Sequence, residues 1–359
     1  MHGTILIAAG GTGGHLFPGI SVADALQRRR PDLRVVFVGT RRGLEVRLVP
    51  RAGYPLEVLP VRPLNSVGVA RALLGLLALP GALVRAFLLL RRTRPEAVFG
   101  VGGYASGPLL LVAALLGVKT VILEPNARPG FTNRALRPFV WKAACAYSET
   151  LAFFPGKGVL TGNPVRGGFT RSATRHEHAS PWTLLAFGGS QGSRVLNQAL
   201  VKALPHLPGG DVLRIVHQTG EAMRDEVARA YAAAERKAEV VAFLDDMEAR
   251  FAEADLVVAR SGATTCAEIT ASGKAAVLVP FAKAADDHQT MNARALQAEG
   301  AALVIPEEAL TGEALAAAVL GVLETGGRLT AMQEASSRLG RPMAAEAVAD
   351  LLTPEEGKA

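Results

Sequence analysis

Three glycine-rich segments stand at matching places in this chain, each between a short apolar run and a stretch with helical spacing. They are Gly10-Gly11-Thr12-Gly13-Gly14-His15, Gly102-Gly103-Tyr104-Ala105-Ser106-Gly107-Pro108 and Gly188-Gly189-Ser190-Gln191-Gly192-Ser193. A strand, a glycine turn and a helix make one joint of a parallel α/β sheet, whose ligands bind beyond the carboxyl ends of the strands. Strands are predicted at 4–8, 34–38, 97–101 and 120–123, and again at 182–187, 213–217, 240–243, 256–259 and 276–280. Helical spacing at 19–30, 195–204 and 221–237 lies between them. The fold class is α/β, in two alternating series. The Gly- and Pro-rich Thr161-Gly162-Asn163-Pro164-Val165-Arg166-Gly167-Gly168 parts them. The expected domains are therefore 1–163 and 164–341, with a last helix in 342–359 crossing back to the first.

The chain has 359 residues, 49% of them hydrophobic, with 39 Lys+Arg against 32 Asp+Glu. That excludes a disordered chain, a collagen-like fibre and a disulfide-stapled domain. Residues 1–163 hold 20 basic and 7 acidic side chains, and residues 164–359 hold 19 and 25. The basic half should meet something anionic: nucleic acid, a membrane surface or a phosphorylated ligand. Cys145 and Cys266 lie in apolar stretches and read as buried thiols, which fits a reducing cytoplasm. Residues 5–9 read as a first strand rather than a signal peptide. Residues 97–118 are uncharged but broken by glycines, and 72–84 are too short for a bilayer, which needs ~20 residues. The leucines of 72–90, bounded by Arg71, Arg85, Arg91, Arg92 and Arg94, suit either a helix docked on its sheet or one lying on an anionic membrane.

Glycine turns before helices expose unpaired N–H groups that favour phosphate. The ligand class is therefore phosphorylated. The dinucleotide fingerprint fails at Leu16, and no acidic residue follows Val38-Gly39-Thr40-Arg41-Arg42. The arginine pair keeps an NADP enzyme open. Neither a P-loop nor a D-x-D is present, so no metal-bridged diphosphate is signalled. His15 opens a helix, where it serves either as a cap or as a neutral general base. His176-Glu177-His178 reads as linker rather than a metal site. Ser261 is the expected N-cap of a helix beginning Gly262-Ala263-Thr264-Thr265, with Glu268 about two turns in and able to accept ribose hydroxyls. Asp286-Asp287-His288-Gln289-Thr290-Met291-Asn292 opens a further helix with polar groups suited to a hydroxyl-rich ligand.

Taken together and in this order, the motifs from residue 10 to residue 292 resemble the MurG family of GT-B glycosyltransferases, family 28. Glu124-Pro125-Asn126, Leu196-Asn197-Gln198 and Phe243-Leu244-Asp245-Asp246-Met247 belong to the matching set. Pro125 stands where the family often has glutamine, and 282–285 is less polar than usual. The resemblance implies two Rossmann-like domains facing across a cleft and a metal-independent, inverting transfer without cofactor. It implies UDP-N-acetylglucosamine (UDP-GlcNAc) as donor and lipid-linked muramoyl pentapeptide as acceptor, in peptidoglycan synthesis. It further implies a peripheral enzyme on the cytoplasmic face of the bacterial membrane. No pattern of aromatic and basic residues supports a nucleic acid partner. Carried over by position, the donor site holds Thr12, Gly13, Gly14, Asn126, Arg166, Ser190, Leu244, Ala263, Thr264, Thr265, Cys266, Ala267, Glu268 and Gln289. The acceptor meets Gly102, Gly103 and Tyr104. His15 is the expected base and Glu124 its rival. Membrane contact falls to Leu73, Leu74, Leu76, Leu77, Leu79, Arg85, Phe87, Arg91 and Arg92. A UDP-sugar enzyme with a soluble acceptor, an NADP oxidoreductase and a phosphoinositide-type adaptor are the competing readings.

Overall fold

The structure, a computed structural model, describes residues 3–11, 13–41, 43–61, 69–103, 105–169 and 181–353, with 69–77 and 285 described by backbone alone. The chain divides into two compact units, Met1–Arg166 with Pro342–Ala359, and Gly167–Arg341.

In chain order the first unit contains β1 (Thr4–Ala8), α1 (Gly13–Arg29), β2 (Arg34–Gly39), α2 (Glu45–Arg51), β3 (Leu56–Val58) and α3 (Val69–Thr93). It continues with β4 (Ala97–Gly100), α4 (Ser106–Leu115), β5 (Lys119–Glu124), α5 (Phe131–Leu136), β6 (Lys142–Cys145) and β7 (Gly158–Leu160). Its sheet runs β3-β2-β1-β4-β5-β6-β7, all parallel. Because side chains alternate along a strand, Ile5, Ile7 and Ala9 enter one core layer with Phe37, Leu26 and Phe99. Leu6 and Ala8 enter the other, with Val98, Leu89, Leu90, Leu109 and Leu110. Burial on both faces is why these strands read as unbroken apolar runs.

The second unit contains β8 (Trp182–Phe187), α6 (Arg194–Ala203), β9 (Leu213–Gln218), α7 (Arg224–Ala233), β10 (Glu239–Val241), α8 (Met247–Glu253), β11 (Leu256–Ala259) and α9 (Ala263–Ala271). β12 (Ala275–Leu278), α10 (His288–Ala298), β13 (Ala302–Val304), α11 (Gly312–Leu323) and α12 (Arg328–Leu339) follow. Its parallel sheet runs β10-β9-β8-β11-β12-β13. The last helix, α13 (Ala344–Leu352), belongs to the first unit and packs on α1.

Several boundaries differ from the sequence reading. α1 begins at Gly13, not at 19, since Pro18 forfeits only the bond to the Gly14 carbonyl near the helix start. The helix expected at 221–237 is a short 3₁₀ turn followed by α7. α3 runs through Pro80 as one helix. Its Ala82, Ala86, Leu89 and Leu90 are buried, while Val84, Arg85, Phe87, Leu88, Arg91 and Arg92 are exposed and Leu79 is half-buried. The side chains of Leu73, Leu74, Leu76 and Leu77 lie outside the described residues. Among the described residues no single helix is long and apolar enough to cross a membrane.

Candidate active site

Each sheet reverses its strand order once, at β1/β4 in the first unit and at β8/β11 in the second. Ligand crevices open beyond the carboxyl ends at such reversals. In the first unit two glycine turns meet there. A Cβ on Gly103, at φ +83°, would fall 2.5 Å from the Gly10 carbonyl oxygen, and one on Gly102, at φ +131°, would fall 2.4 Å from His15 Nδ1. Ser106 Oγ fixes the second turn, lying 3.0 Å from the Ala8 carbonyl and 2.7 Å from that of Gly102. His15 is thus held against the Gly102 backbone. Its Nδ1 is buried without a hydrogen-bond partner among the described residues. Burial lowers the imidazole pKa below its ordinary value, against a smaller opposing pull from the Val101 backbone. The ring is therefore neutral at neutral pH, the state a proton acceptor requires.

The first turn is pinned from beneath by Glu45, which the sequence reading did not single out. This fully buried carboxylate accepts hydrogen bonds from Gly11 N (2.9 Å), Thr40 N (2.8 Å) and Thr40 Oγ1 (2.7 Å). Burial pushes its pKa up, but these hydrogen bonds outweigh it and leave the pKa lowered. The Gly11 N–H is therefore spent on Glu45 rather than offered to a phosphate. Gly13 is half-buried and Gly14 exposed. Thr12 and Tyr104, and the 176–178 segment, lie outside the described residues.

Glu124, at the end of β5, is fully buried. One oxygen accepts from Asn126 N (3.1 Å) and Asn126 Nδ2 (3.4 Å), the other from Gly130 N (3.0 Å) and Asn133 Nδ2 (2.9 Å). Burial raises its pKa against these bonds. Both oxygens are turned into the protein, so the geometry makes Glu124 the anchor of the Asn126 turn and favours His15 as base. Arg166 lies 4.6 Å over the Phe17 ring of α1 and within the first unit, not in the donor domain to which the sequence reading gave it.

In the second unit Ser190 is exposed at the tip of the 188–193 turn, and Ser193 caps α6 by accepting from Leu196 N. Ser261 is not the N-cap of α9. It donates to the Gln289 carbonyl at 2.8 Å, and the cap is Gly262, which makes no side-chain cap bond. Ala263, Thr264 and Thr265 form the first turn of a helix whose end is left uncapped by side chains, a ready anion site. Cys266 and Glu268 are buried, and Ala267 is half-buried. Gln289 accepts from Phe281 N at 3.0 Å, which orients its amide N–H₂. Leu244 is buried, and its N–H is donated to Gln218 Oε1 at 3.2 Å. Arg260, absent from the expected set, binds Ser193 Oγ (3.1 Å), the Val279 and Pro280 carbonyls (3.2 and 3.0 Å) and Glu307 (2.7 Å). It ties together the loops that follow β8, β12 and β13.

The N-terminal domain of glycosyltransferase family 28 matches residues 5–145, and the C-terminal domain of that family matches residues 183–349. The chain belongs to glycosyltransferase family 28. Within that family it is 48% identical, over 97% of its length and 92% of the relative's, to an Anaeromyxobacter sp. (strain Fw109-5) protein. That relative is named UDP-N-acetylglucosamine–N-acetylmuramyl-(pentapeptide) pyrophosphoryl-undecaprenol N-acetylglucosamine transferase. A Myxococcus xanthus relative of the same name is also 48% identical, over 97% of this chain and 91% of the relative. Among solved structures, MurG of Acinetobacter baumannii matches with a TM-score of 0.80 at 32% identity, covering 98% of this chain and 99% of that one. The two parallel sheets are those of a GT-B glycosyltransferase. A UDP-N-acetylglucosamine 2-epimerase at 12% identity (TM-score 0.63, 98% of this chain and 95% of that one) shares the fold alone. As a family 28 glycosyltransferase the chain is no NADP oxidoreductase.

Proposed function

We propose that the protein transfers N-acetylglucosamine from UDP-GlcNAc to the 4-hydroxyl of the muramoyl sugar of undecaprenyl-diphosphoryl muramoyl pentapeptide, converting lipid I to lipid II. The observation that carries this reading is the 48% identity, across nearly the whole chain, to transferases of that name. In the reaction the acceptor oxygen bonds to the anomeric carbon from the face opposite UDP, so the configuration inverts. The bond from that carbon to the β-phosphate oxygen breaks, and its electron pair leaves on UDP. The hydroxyl proton passes to the His15 imidazole, which neutrality makes an acceptor. The charge growing on UDP meets the uncapped start of α9 and the 188–193 turn, where fixed N–H dipoles need no reorganisation.

The same reading makes the protein a peripheral one on the cytoplasmic face of the membrane that holds its lipid acceptor. It is supported by exposed Val84, Phe87 and Leu88 on α3 and Leu115 and Leu116 at the end of α4, with Arg85 and Arg91 beside them on α3. Arg92 contributes less, since it pairs with Glu57 at 2.7 Å.

Incubation with UDP-GlcNAc and lipid-linked muramoyl peptide should yield the disaccharide lipid and UDP in equal amounts. Absence of acceptor-dependent UDP release would overturn the reading. His15→Ala should lower turnover by about 100- to 10,000-fold, the usual worth of a general base, with the donor KM changed only a few-fold. Equal turnover in variant and parent would sink the base assignment.

A further inference from the structure

Gln218, the last residue of β9, is buried and touches two of the loops at the carboxyl edge of its sheet at once. Its Nε2 donates to the Gly189 carbonyl at 2.9 Å, and its Oε1 accepts from Leu244 N at 3.2 Å. Each bond fixes a peptide plane. In a trans peptide the carbonyl and the N–H of the same plane point in opposite directions. With the Gly189 carbonyl drawn inward, the Ser190 N–H of that plane points outward. With the Leu244 N–H drawn inward, the Phe243 carbonyl points outward. Ser190 and Phe243 are themselves exposed residues. The surrounding backbone leaves little room for another arrangement. A Cβ on Gly192 would fall 1.9 Å from the Thr219 carbonyl oxygen, one on Gly220 would fall 2.2 Å from that of Gln191, and Gly192 N also donates to the Gly189 carbonyl at 2.9 Å.

We propose that Gln218 is a positioning residue that sets donor specificity: one buried amide presents the Ser190 N–H to a diphosphate and the Phe243 carbonyl to the N3–H of a uracil. The inference rests on the donor reading above. An N–H suits an anion. A carbonyl suits uracil, which carries a proton on N3, and repels cytosine, whose N3 is an acceptor. An apolar or charged residue at 218 would leave the 243–244 plane without its anchor and the Gly189 carbonyl held by Gly192 N alone.

The test compares the parent with Gln218→Leu and with the isosteric Gln218→Glu, which guards against a folding failure of the first. Thermal melting is followed alongside KM for UDP-GlcNAc, KM for the lipid acceptor, kcat, and calorimetric binding of UDP and CDP. Loss of two hydrogen-bonded orientations should raise the donor KM about tenfold or more, leaving kcat and the acceptor KM within about threefold. The preference for UDP over CDP should fall by a similar factor. In Gln218→Glu the ionised carboxylate faces the Gly189 carbonyl and repels it, while the protonated acid donates to it. Donor binding by this variant should therefore recover as pH falls, and the parent should show no such recovery. Variants that keep the parent's donor KM and its UDP preference overturn the inference, as do variants that lose kcat and both KM values together with the preference intact. A parent that binds UDP but transfers no sugar overturns the transferase reading while leaving the binding test to decide Gln218. A parent that binds neither nucleotide overturns both.

Discussion

The His15 imidazole lies so close to residue 102 that no side chain fits there, and the φ of +131° is itself one that only glycine adopts readily. Gly102→Ala should therefore push His15 out of place and reduce turnover nearly as much as His15→Ala, while UDP binding changes little; unimpaired turnover in this variant would show that His15 does not need that contact. Because burial lowers the His15 pKa, the base is ready through neutral pH and is lost only in acid. The acid limb of kcat/KM should accordingly fall below pH 6.5, the ordinary imidazole value. An acid limb at or above that value would contradict the burial of the ring. The candidate site was partly legible from the chain: His15, Ser190 and the start of α9 all stand beside glycine turns whose spacing marks them. Glu45, Gln218 and Arg260 were not legible, because a lone carboxylate, amide or guanidinium gains its role only from which loops close over it. Ser261 misled for a related reason. A serine before a helix usually caps it, but here the hydroxyl is drawn 28 residues along the chain to the Gln289 carbonyl.

Elements of the sheets divide in the same way. Strands with longer and mostly apolar runs, such as β1, β2 and β8, could be read directly, whereas β3, β7 and β13 are three-residue edge strands with too little pattern to detect. The four residues of β6 (Lys-Ala-Ala-Cys) carry no β-branched side chain at all. At this scale α13 offers a choice between two sources of adhesion. Arg28–Glu346 and Arg29–Asp350 link it to α1, but pairs exposed to this extent contribute only ~0–1 kcal/mol each. Its buried Ala345, Val348, Ala349 and Leu352 join the core layer of the first unit. Leu352→Ala should cost about 2–5 kcal/mol in chemical denaturation and Glu346→Ala under ~1 kcal/mol; the reverse order would mean the ion pairs dominate. A second element-level device ties α6, β9 and α7 together in the other unit. Buried His217 meets Asn197 Oδ1 at 3.1 Å and the Tyr231 hydroxyl at 3.3 Å. Burial lowers its pKa from 6.5 to about 4. Between those values the unfolded chain binds a proton that the folded one refuses, so the stabilising contribution is full above pH 6.5 and drains away as pH falls toward 4. The loss is of order 3 kcal/mol. Denaturation across that window should show the slope in the parent and a flatter one in His217→Gln; identical slopes would locate the acid sensitivity elsewhere.

For the whole molecule the informative quantity is how charge is shared rather than its sum. A net charge of +7 alone could have meant nucleic acid, but residues 1–163 hold the basic excess and the later residues the acidic one. The acidic part can still bind a diphosphate, because helix starts and backbone N–H groups rather than lysines receive it. The basic part carries α3, whose exposed face sets Val84, Phe87 and Leu88 among Arg85 and Arg91, with the buried face turned to the sheet. Apolar side chains that enter the headgroup boundary supply attraction at any ionic strength, whereas arginines act over a Debye length of ~8 Å at physiological salt. The two contributions can therefore be separated. The protein should float with vesicles containing anionic lipid more than with purely zwitterionic ones, and the difference should shrink as salt rises. Replacing exposed Phe87 and Leu88 together by serine should weaken flotation even at low salt without altering UDP binding. Equal flotation with both vesicle types would remove the electrostatic part of this proposal. Unchanged flotation of the double variant would remove α3 as the contact, leaving the lipid acceptor to be reached through some other surface of the first unit.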